Sequence, residues 1–151
     1  MAIRKISAAT YLNANLVKAL HQGLLSNYGG LSGAVREDLL ETALARPLQL
    51  LAYQKPKPDL FQLAAAYGFG FARLHAFSDG NKRVALAVID VFLQMNGFEL
   101  EVAEPEAVLI IQDLAAGRVG GPAGAVGAPL RRHRRRPAAG HAAGGGADGP
   151  A

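Results

Sequence analysis

The chain contains no cysteine. Disulfides and thiolate-ligated metal sites are therefore excluded, and nothing in the composition favours an oxidising compartment. No apolar run approaches the roughly 18 residues that a membrane-spanning helix needs, and the first residues lack the long apolar segment of a secretory signal peptide. These absences predict a cytoplasmic protein without a membrane partner. A length of 151 residues predicts one domain with a buried core.

Positive charge is concentrated at the C-terminal end of the chain. The net charge is +4, yet residues 1–116 hold ten Lys and Arg against eleven Asp and Glu. Residues 117–151 hold six Arg against the single Asp148. Because nucleic-acid-binding domains cluster their positive charge on a folded surface, this distribution does not favour nucleic acid as a partner of the folded domain.

Residues 118–151 differ from the rest in composition. After Ala116 there is no Phe, Tyr or Ile, and ten of the 18 Gly fall there. Such a segment cannot bury enough apolar surface to fold, so we expect a disordered tail after a domain of residues 1–117. The Gly, Ala, Pro and Arg content is what G+C-rich DNA encodes out of frame, which suggests a frameshift product. Alternatively, residues 131–136 form a genuine basic arm that binds RNA or DNA through phosphates.

Helical periodicity dominates the predicted domain. Leucines at i+4 spacing predict a first helix that ends at Tyr28, before two glycines, with His21 on its surface. A second helix is predicted over residues 35–46, ended by Pro47. Residues 48–58 contain Pro56 and Pro58 and are expected to form an exposed loop.

A third helix is predicted from Asp59 to Leu74. Asp59 has the character of an N-cap, and Gln62 three residues later completes a capping-box pattern. Gly68 and Gly70 interrupt the apolar face of this helix. They lower its stability unless another element packs closely against them.

The fourth helical segment, Val84 to Asn96, is apolar nearly all round, which predicts a helix at the centre of a bundle. Gly97 is expected to end it, followed by an extended segment over residues 98–102. A last helix is expected over residues 105–116. Because no strand pattern competes, the fold class is predicted to be all-α.

A polar turn, His75 to Arg83, separates the third and fourth helices. Lys82 and Arg83 fall in the first turn of the fourth helix, where cations are unfavourable by roughly 0.3–1 kcal/mol each. Two cations beside free backbone N–H groups are explained if an anion such as phosphate binds there. The alternative is a pair of solvated surface cations.

The other residues of the turn each allow two interpretations. Asp79 is either an ordinary N-cap or a Mg²⁺ ligand beside a phosphate. Gly80 serves the turn or the close approach of a ligand, and Asn81 is a cap or a phosphate contact. His75 is either a cation favoured by the end of the preceding helix or a general base. Phe77 is expected to pack the loop onto the core.

The sequence from His75 to Arg83, HAFSDGNKR, resembles the signature H-x-F-x-D/E-G/A-N-K/G-R of the Fic/Doc superfamily. Lys82 corresponds to the Doc (death-on-curing) form, whereas Fic proteins have Gly there. Residues 35–47 resemble the conserved upstream stretch of the family, and Phe92 to Gly97 resembles its F-L-x-x-N-G helix end. The resemblance covers roughly residues 8–117.

The resemblance implies a helical bundle around the motif helix and a Doc-like kinase that transfers the γ-phosphate of ATP or another nucleoside triphosphate. The implied acceptor is a threonine of elongation factor Tu, whose modification arrests translation, and the implied partner is a Phd-like antitoxin. By the same resemblance, His75 is the catalytic base and Asp79 the Mg²⁺ ligand. The phosphate-binding residues are then Gly80, Asn81, Lys82 and Arg83.

The chain also departs from the Fic pattern. Fic enzymes, which transfer AMP, use a further Arg three residues after the first, and Leu86 occupies that position here. This departure favours phosphate transfer over AMP transfer. Ala76 stands where Fic proteins usually have Pro, and no Ser/Thr-x-x-x-Glu inhibitory pattern is present, so restraint should come from a partner. AMP transfer and an inactive antitoxin-binding module remain the alternatives.

Overall fold

The computed structural model describes residues 9–100, residue 109 and residues 134–137 of the chain. Most of the predicted last helix and most of the predicted tail lie outside these residues. The described elements, in chain order, are the helices α1 (Ala14–Tyr28), α2 (Glu37–Tyr53), α3 (Leu60–Leu74) and α4 (Asn81–Met95) and the strands β1 (Phe98–Leu100) and β2 (Arg134–Pro137).

The all-α prediction is confirmed, because four helices build the described fold. The two short strands pair antiparallel, with Phe98 opposite Pro137 and Leu100 opposite Arg134. The extended segment expected after Gly97 is thus present over residues 98–100. No helix of the described residues is both long and apolar enough to cross a membrane.

Helix α4 lies at the centre of the fold, as its apolar surface predicts. It packs most extensively against α3 and also contacts α1 and β1, while α2 packs on the other helices mainly through α3. Val84, Val88 and Phe92 are fully buried along it. Burial on several sides holds the first turn of α4, and with it the polar turn, in a fixed position.

Helix α3 begins as expected. The Asp59 carboxylate accepts a hydrogen bond from the Gln62 N–H, and the Gln62 side chain accepts one from the Asp59 N–H, which completes the capping box. The close packing required by the glycines is found at Gly70. A Cβ there would lie 3.3 Å from the Cα of Ala43 on α2. The backbones of α2 and α3 therefore approach each other closely at this point.

The predicted end of the second helix is wrong, since α2 continues through Pro47 to Tyr53. Proline in a helix interior removes one backbone hydrogen bond and normally ends the helix. Here Pro47 is buried, and Leu50 and Leu51 beyond it pack against the core. Tertiary packing of this extra length outweighs the local signal, so part of the expected exposed loop is helical.

Candidate functional site

The polar turn begins with a residue in an unusual backbone conformation. Helix α3 ends at Leu74, and His75 follows in the left-handed region, with φ 54° and ψ 53°. For a residue other than glycine, this conformation costs of the order of 1–3 kcal/mol, and such residues cluster at functional sites. The backbone conformation of His75 therefore marks it as a candidate functional residue independently of any motif.

The exposed side chain of His75 lies at a pocket of about 240 Å³. The Arg36 N–H donates a hydrogen bond of 2.8 Å to the Ala76 carbonyl, which joins the start of α2 to the turn. His75 makes no hydrogen bond or ion pair among the described residues, so its ring nitrogens are available to a ligand. The pocket is lined by Ala34, Arg36, His75, Phe77 and Ser78.

Phe77 and Asn81 close the turn on itself. The Asn81 amide accepts a bond from the Phe77 N–H at 3.0 Å and donates one to the Phe77 carbonyl at 2.8 Å. Both side chains are buried, with Phe77 only 4% exposed, which confirms that Phe77 packs the loop onto the core. The side chain of Asn81 is thus engaged within the turn, and any phosphate contact by this residue rests on its backbone N–H.

Asp79 is exposed, and its carboxylate is held by two backbone donors. Oδ2 accepts from the Leu31 N–H at 3.1 Å and Oδ1 from the Gly80 N–H at 2.9 Å. Both hydrogen bonds lower the pKa of the Asp79 carboxyl from its ordinary 3.8, and the bond from Leu31 has the larger effect. The positive charge of Arg83 lowers the pKa further, by a smaller amount. The Asp79 side chain does not cap α4, so the N-cap interpretation is wrong.

The N-terminus of α4 is left open. Gly80 is the N-cap, in the left-handed conformation with φ 80°, and no side chain of the described residues caps the helix. The first intrahelical bond comes from the Val84 N–H, so the N–H groups of Asn81, Lys82 and Arg83 have no acceptor within the helix. Lys82 and Arg83 are exposed beside these donors, as the sequence predicts.

Arg83 is supported by α1. Its guanidinium lies 5.0 Å from the ring centre of Tyr28, the last residue of that helix. A cation over an aromatic face is attracted by the ring quadrupole. Lys82 makes no ion pair among the described residues. The start of α4 therefore combines free N–H donors with two cations, next to the Asp79 carboxylate.

His21 is a residue of the site that the sequence reasoning missed. It was expected on the surface of α1, but it is only 3% exposed and its Nε2 lies 2.9 Å from the Asp79 carbonyl oxygen. The spacing of His21 from Val17 was a signal of burial. The two residues are one helical turn apart, so they lie on the same face of α1, and Val17 is fully buried. The partner in the turn is 58 residues away along the chain, so no local pattern identifies it.

The residues present fit a Mg²⁺ ion that is shared with a phosphate. The described residues contain no group of three or more carboxylate or histidine side chains that could enclose a metal by themselves. Mg²⁺ in nucleotide sites instead takes one or two carboxylates together with phosphate oxygens. Asp79 supplies one exposed carboxylate, kept ionised by two N–H donors, beside the open start of α4.

The chain matches a protein-family model and known proteins. Residues 11–93 match the model of the Fic/DOC family. This range includes all four helices up to the last turn of α4. Protein kinase doc of Escherichia phage P1 is 36% identical over 101 residues, which cover 67% of this chain and 79% of that protein. Toxin Doc of Mycolicibacterium smegmatis is 44% identical over 62 residues, or 41% of this chain and 48% of the relative.

Proposed function

The chain belongs to the Fic/DOC family, and on that premise we propose that it is a Doc-like toxin kinase. It transfers the γ-phosphate of ATP, or of another nucleoside triphosphate, to a Ser or Thr hydroxyl of a protein. The observation that carries this proposal is the open first turn of α4, where Lys82 and Arg83 stand beside three N–H donors and the Asp79 carboxylate. The similarity to a relative named as a protein kinase supports it.

The proposed target is a translation factor, elongation factor Tu, and its modification arrests translation in the cytoplasm. A second relative is named a toxin, which supports a harmful activity that must be restrained. We propose a Phd-like antitoxin as the restraining partner. The exposed His75 pocket and the exposed cations of α4 are the surfaces that such a partner has to cover.

The nucleotide phosphates bind at the start of α4. The N–H groups of residues 81–83 donate to phosphate oxygens at the positive end of the helix dipole. Gly80 has no side chain to hinder their approach, and the charges of Lys82 and Arg83 offset those of the phosphates. Asp79 is the residue that would hold Mg²⁺, and the ion would neutralise part of the phosphate charge.

His75 acts on the acceptor hydroxyl. A free ring nitrogen accepts the hydroxyl proton while the acceptor oxygen forms a bond to the γ-phosphorus, and the bond from that phosphorus to the β-phosphate bridging oxygen breaks. The nucleoside diphosphate leaves with the electron pair of the broken bond. The pocket beside His75, bordered by Arg36 and Ser78, provides room for the acceptor side chain.

Intact mass spectrometry tests the reaction. The purified protein is incubated with Mg²⁺-ATP and elongation factor Tu, and the mass of the target is then measured. Addition of one phosphate supports the proposal, whereas addition of AMP would replace it with Fic-like nucleotide transfer. An unchanged target mass, under conditions in which the nucleotide binds, would favour a binding module that acts only through its antitoxin.

Replacement of His75 tests its role as the base. His75→Ala should lower the transfer rate by about 10²–10⁴-fold, the usual contribution of a general base. His75→Asn should do the same and is better suited to the left-handed backbone, because Asn tolerates it. Rates are measured by phosphate incorporation, with helix content checked by circular dichroism. His133→Ala, a matched change in the tail, should leave the rate unaltered; a wild-type rate in both His75 variants would remove His75 as base.

A further inference from the structure

His21 lies on α1, beneath the polar turn and outside the motif. Its side chain is only 3% exposed, and no residue of the motif lies near it in sequence. A buried imidazole needs a partner for its polar nitrogens. The partner in this fold is the backbone of Asp79, the residue assigned to the metal.

The hydrogen bond between them has a defined direction. His21 Nε2 and the Asp79 carbonyl oxygen are 2.9 Å apart. Because a carbonyl oxygen only accepts hydrogen bonds, Nε2 carries the proton. The ring also lies against the next residue: a Cβ at Gly80 would be 3.8 Å from both Nε2 and Cδ2 of His21. The imidazole therefore supports the peptide unit between Asp79 and Gly80, immediately before α4.

Stacking fixes the plane of the same ring. The His21 and Phe77 rings are 4.0 Å apart between centres, with an angle of 17° between their planes. Phe77 is itself held at both of its backbone polar groups by the Asn81 side chain. The stack limits tilting of the imidazole, and the hydrogen bond limits its rotation within the plane.

Helix α1 and the loop after it hold Asp79 at two points. His21, on the helix, binds the backbone carbonyl of Asp79. Leu31, three residues beyond the end of α1 at Tyr28, donates its N–H to the Asp79 carboxylate. An apolar side chain could fill the space and stack on Phe77, but it could not hold the carbonyl. The N–H of His21 is thus a feature that core packing alone does not require.

We propose that His21 is a positioning residue for phosphate transfer. Its Nε2–H holds the Asp79 carbonyl and so keeps the Asp79 carboxylate and the free N–H groups at the start of α4 in a fixed relative arrangement. This role rests on the proposed function for its effect on catalysis. Its effect on the geometry of the turn is independent of any nucleotide.

Two variants separate the hydrogen bond from the shape of the ring. His21→Phe keeps an aromatic ring to stack on Phe77 but has no donor, whereas His21→Gln keeps a side-chain N–H but loses the ring. Gln22→Ala, an exposed neighbour on α1, is the matched control. Melting temperature and helix content are measured for all three, so that a general loss of folding is recognised.

The first readout needs no substrate. Hydrogen exchange by NMR measures the protection of the Leu31 and Gly80 N–H groups, the two donors to the Asp79 carboxylate. His21→Phe should make both amides exchange severalfold faster than in the wild type, because the backbone of Asp79 is released. His21→Gln should restore much of the protection.

The second readout is kinetic. His21→Phe should lower kcat by about 10–100-fold, since small displacements of catalytic groups have effects of this size. It should also raise the Mg²⁺ concentration needed for half-maximal rate, while leaving KM for the acceptor protein unchanged. His21→Gln should recover much of both losses.

The outcomes are distinguishable. A His21→Phe protein with wild-type exchange at Leu31 and Gly80 overturns the proposal, as does an equal loss in the Phe and Gln variants that follows their melting temperatures. If the wild-type protein transfers no phosphate, the proposed function fails, yet the exchange rates still decide whether His21 holds the turn.

Discussion

Within the polar turn, neighbouring residues use their side chains for different purposes. The Asn81 side-chain amide makes two hydrogen bonds to the backbone of Phe77, which close the loop. The Asp79 carboxylate accepts hydrogen bonds from two backbone N–H groups and is still exposed to solvent. His75 has a backbone in the left-handed region, and its ring makes no hydrogen bond or ion pair with the other residues that the structure describes. The turn therefore separates residues that maintain its shape from residues that can act on a ligand.

The hydrogen bonds to Asp79 predict a specific pH dependence. The N–H groups of Leu31 and Gly80 stabilise the ionised form, so the pKa of the Asp79 carboxyl is lowered in the folded state. A carboxyl with a lowered folded-state pKa contributes stability above its unfolded pKa, and this contribution is lost as the pH falls through the lower, folded value. Carbon-13 NMR of the Asp79 carboxyl should therefore show a titration midpoint below 3.8.

The matching stability measurement uses Asp79→Asn. Urea unfolding of the variant and the wild type should differ most above the unfolded pKa of about 3.9, and the difference should shrink as the pH falls through the folded-state pKa. A difference that is constant across this range would contradict an ionised, hydrogen-bonded Asp79. The variant also tests the metal ligand, because it should need more Mg²⁺ for phosphate transfer.

Among the elements, α4 has two roles. Its interior residues, including Val84, Val88 and Phe92, form the centre of the core, and its first turn is the proposed phosphate site. Burial of the helix gives its dipole and its free N–H groups a fixed direction. The surrounding helices also contribute to the site. His75 directly follows the last residue of α3, and His21 lies on α1. The Arg36 N–H, at the start of α2, donates a hydrogen bond to the Ala76 carbonyl.

Substitutions at two glycines should change stability in opposite directions, because one glycine lies at the contact between α2 and α3 and the other has open space around it. A Cβ at Gly70 would lie 3.1–3.3 Å from Arg46 and Ala43, whereas nothing lies within 4 Å of one at Gly23 on α1. Gly70→Val should lower the free energy of unfolding by about 1–3 kcal/mol through overpacking. Gly23→Ala should raise it by about 0.5–1 kcal/mol, because alanine favours the helix. Urea denaturation measures both, and a stabilised Gly70→Val protein would contradict the close contact of α2 with α3.

At the scale of the whole molecule, the net positive charge of the chain and the candidate site lie in different parts of the sequence. Residues 1–116 carry a small net negative charge, and the excess of arginine lies in residues 117–151. All the residues assigned to the site lie between His21 and Arg83. The positive charge that we propose to bind phosphate is thus local, a pair of cations at the start of α4, and is separate in sequence from the basic run of residues 131–136.

A chain that ends at residue 117 tests this separation. We expect it to bind Mg²⁺-ATP with the affinity of the full chain, as measured by calorimetry. The full chain should bind a DNA oligonucleotide weakly and with strong salt dependence through its arginine run, and the shortened chain should lose that binding. Because the cut also removes β2, which pairs with β1, helix content is checked by circular dichroism. A shortened chain that keeps its helix content but no longer binds nucleotide would show that the tail contributes to the site. Replacing the arginines of residues 131–136 with serine provides the matched control in the full chain.

Local features of the sequence were sufficient for much of the fold. The capping box at Asp59, the glycines after Tyr28 and the apolar surface of α4 each predicted an observed element, because caps and periodic burial act within a few residues. The end of α2 was predicted wrongly at Pro47. There, packing of Leu50 and Leu51 against the core supplies a free energy that no pattern within α2 reveals.

The sequence by itself was enough to predict which residues would bind and transfer phosphate. The order of His75, Asp79, Gly80, Lys82 and Arg83 is continuous in the chain, so the turn and the first turn of α4 bring these groups together without distant partners. Tertiary structure alone decided how that turn is held. The N–H of Leu31 on the Asp79 carboxylate and the imidazole of His21 on the Asp79 carbonyl join segments 48 and 58 residues apart. Such contacts depend on how α1 packs against α4, which is a property of the folded core.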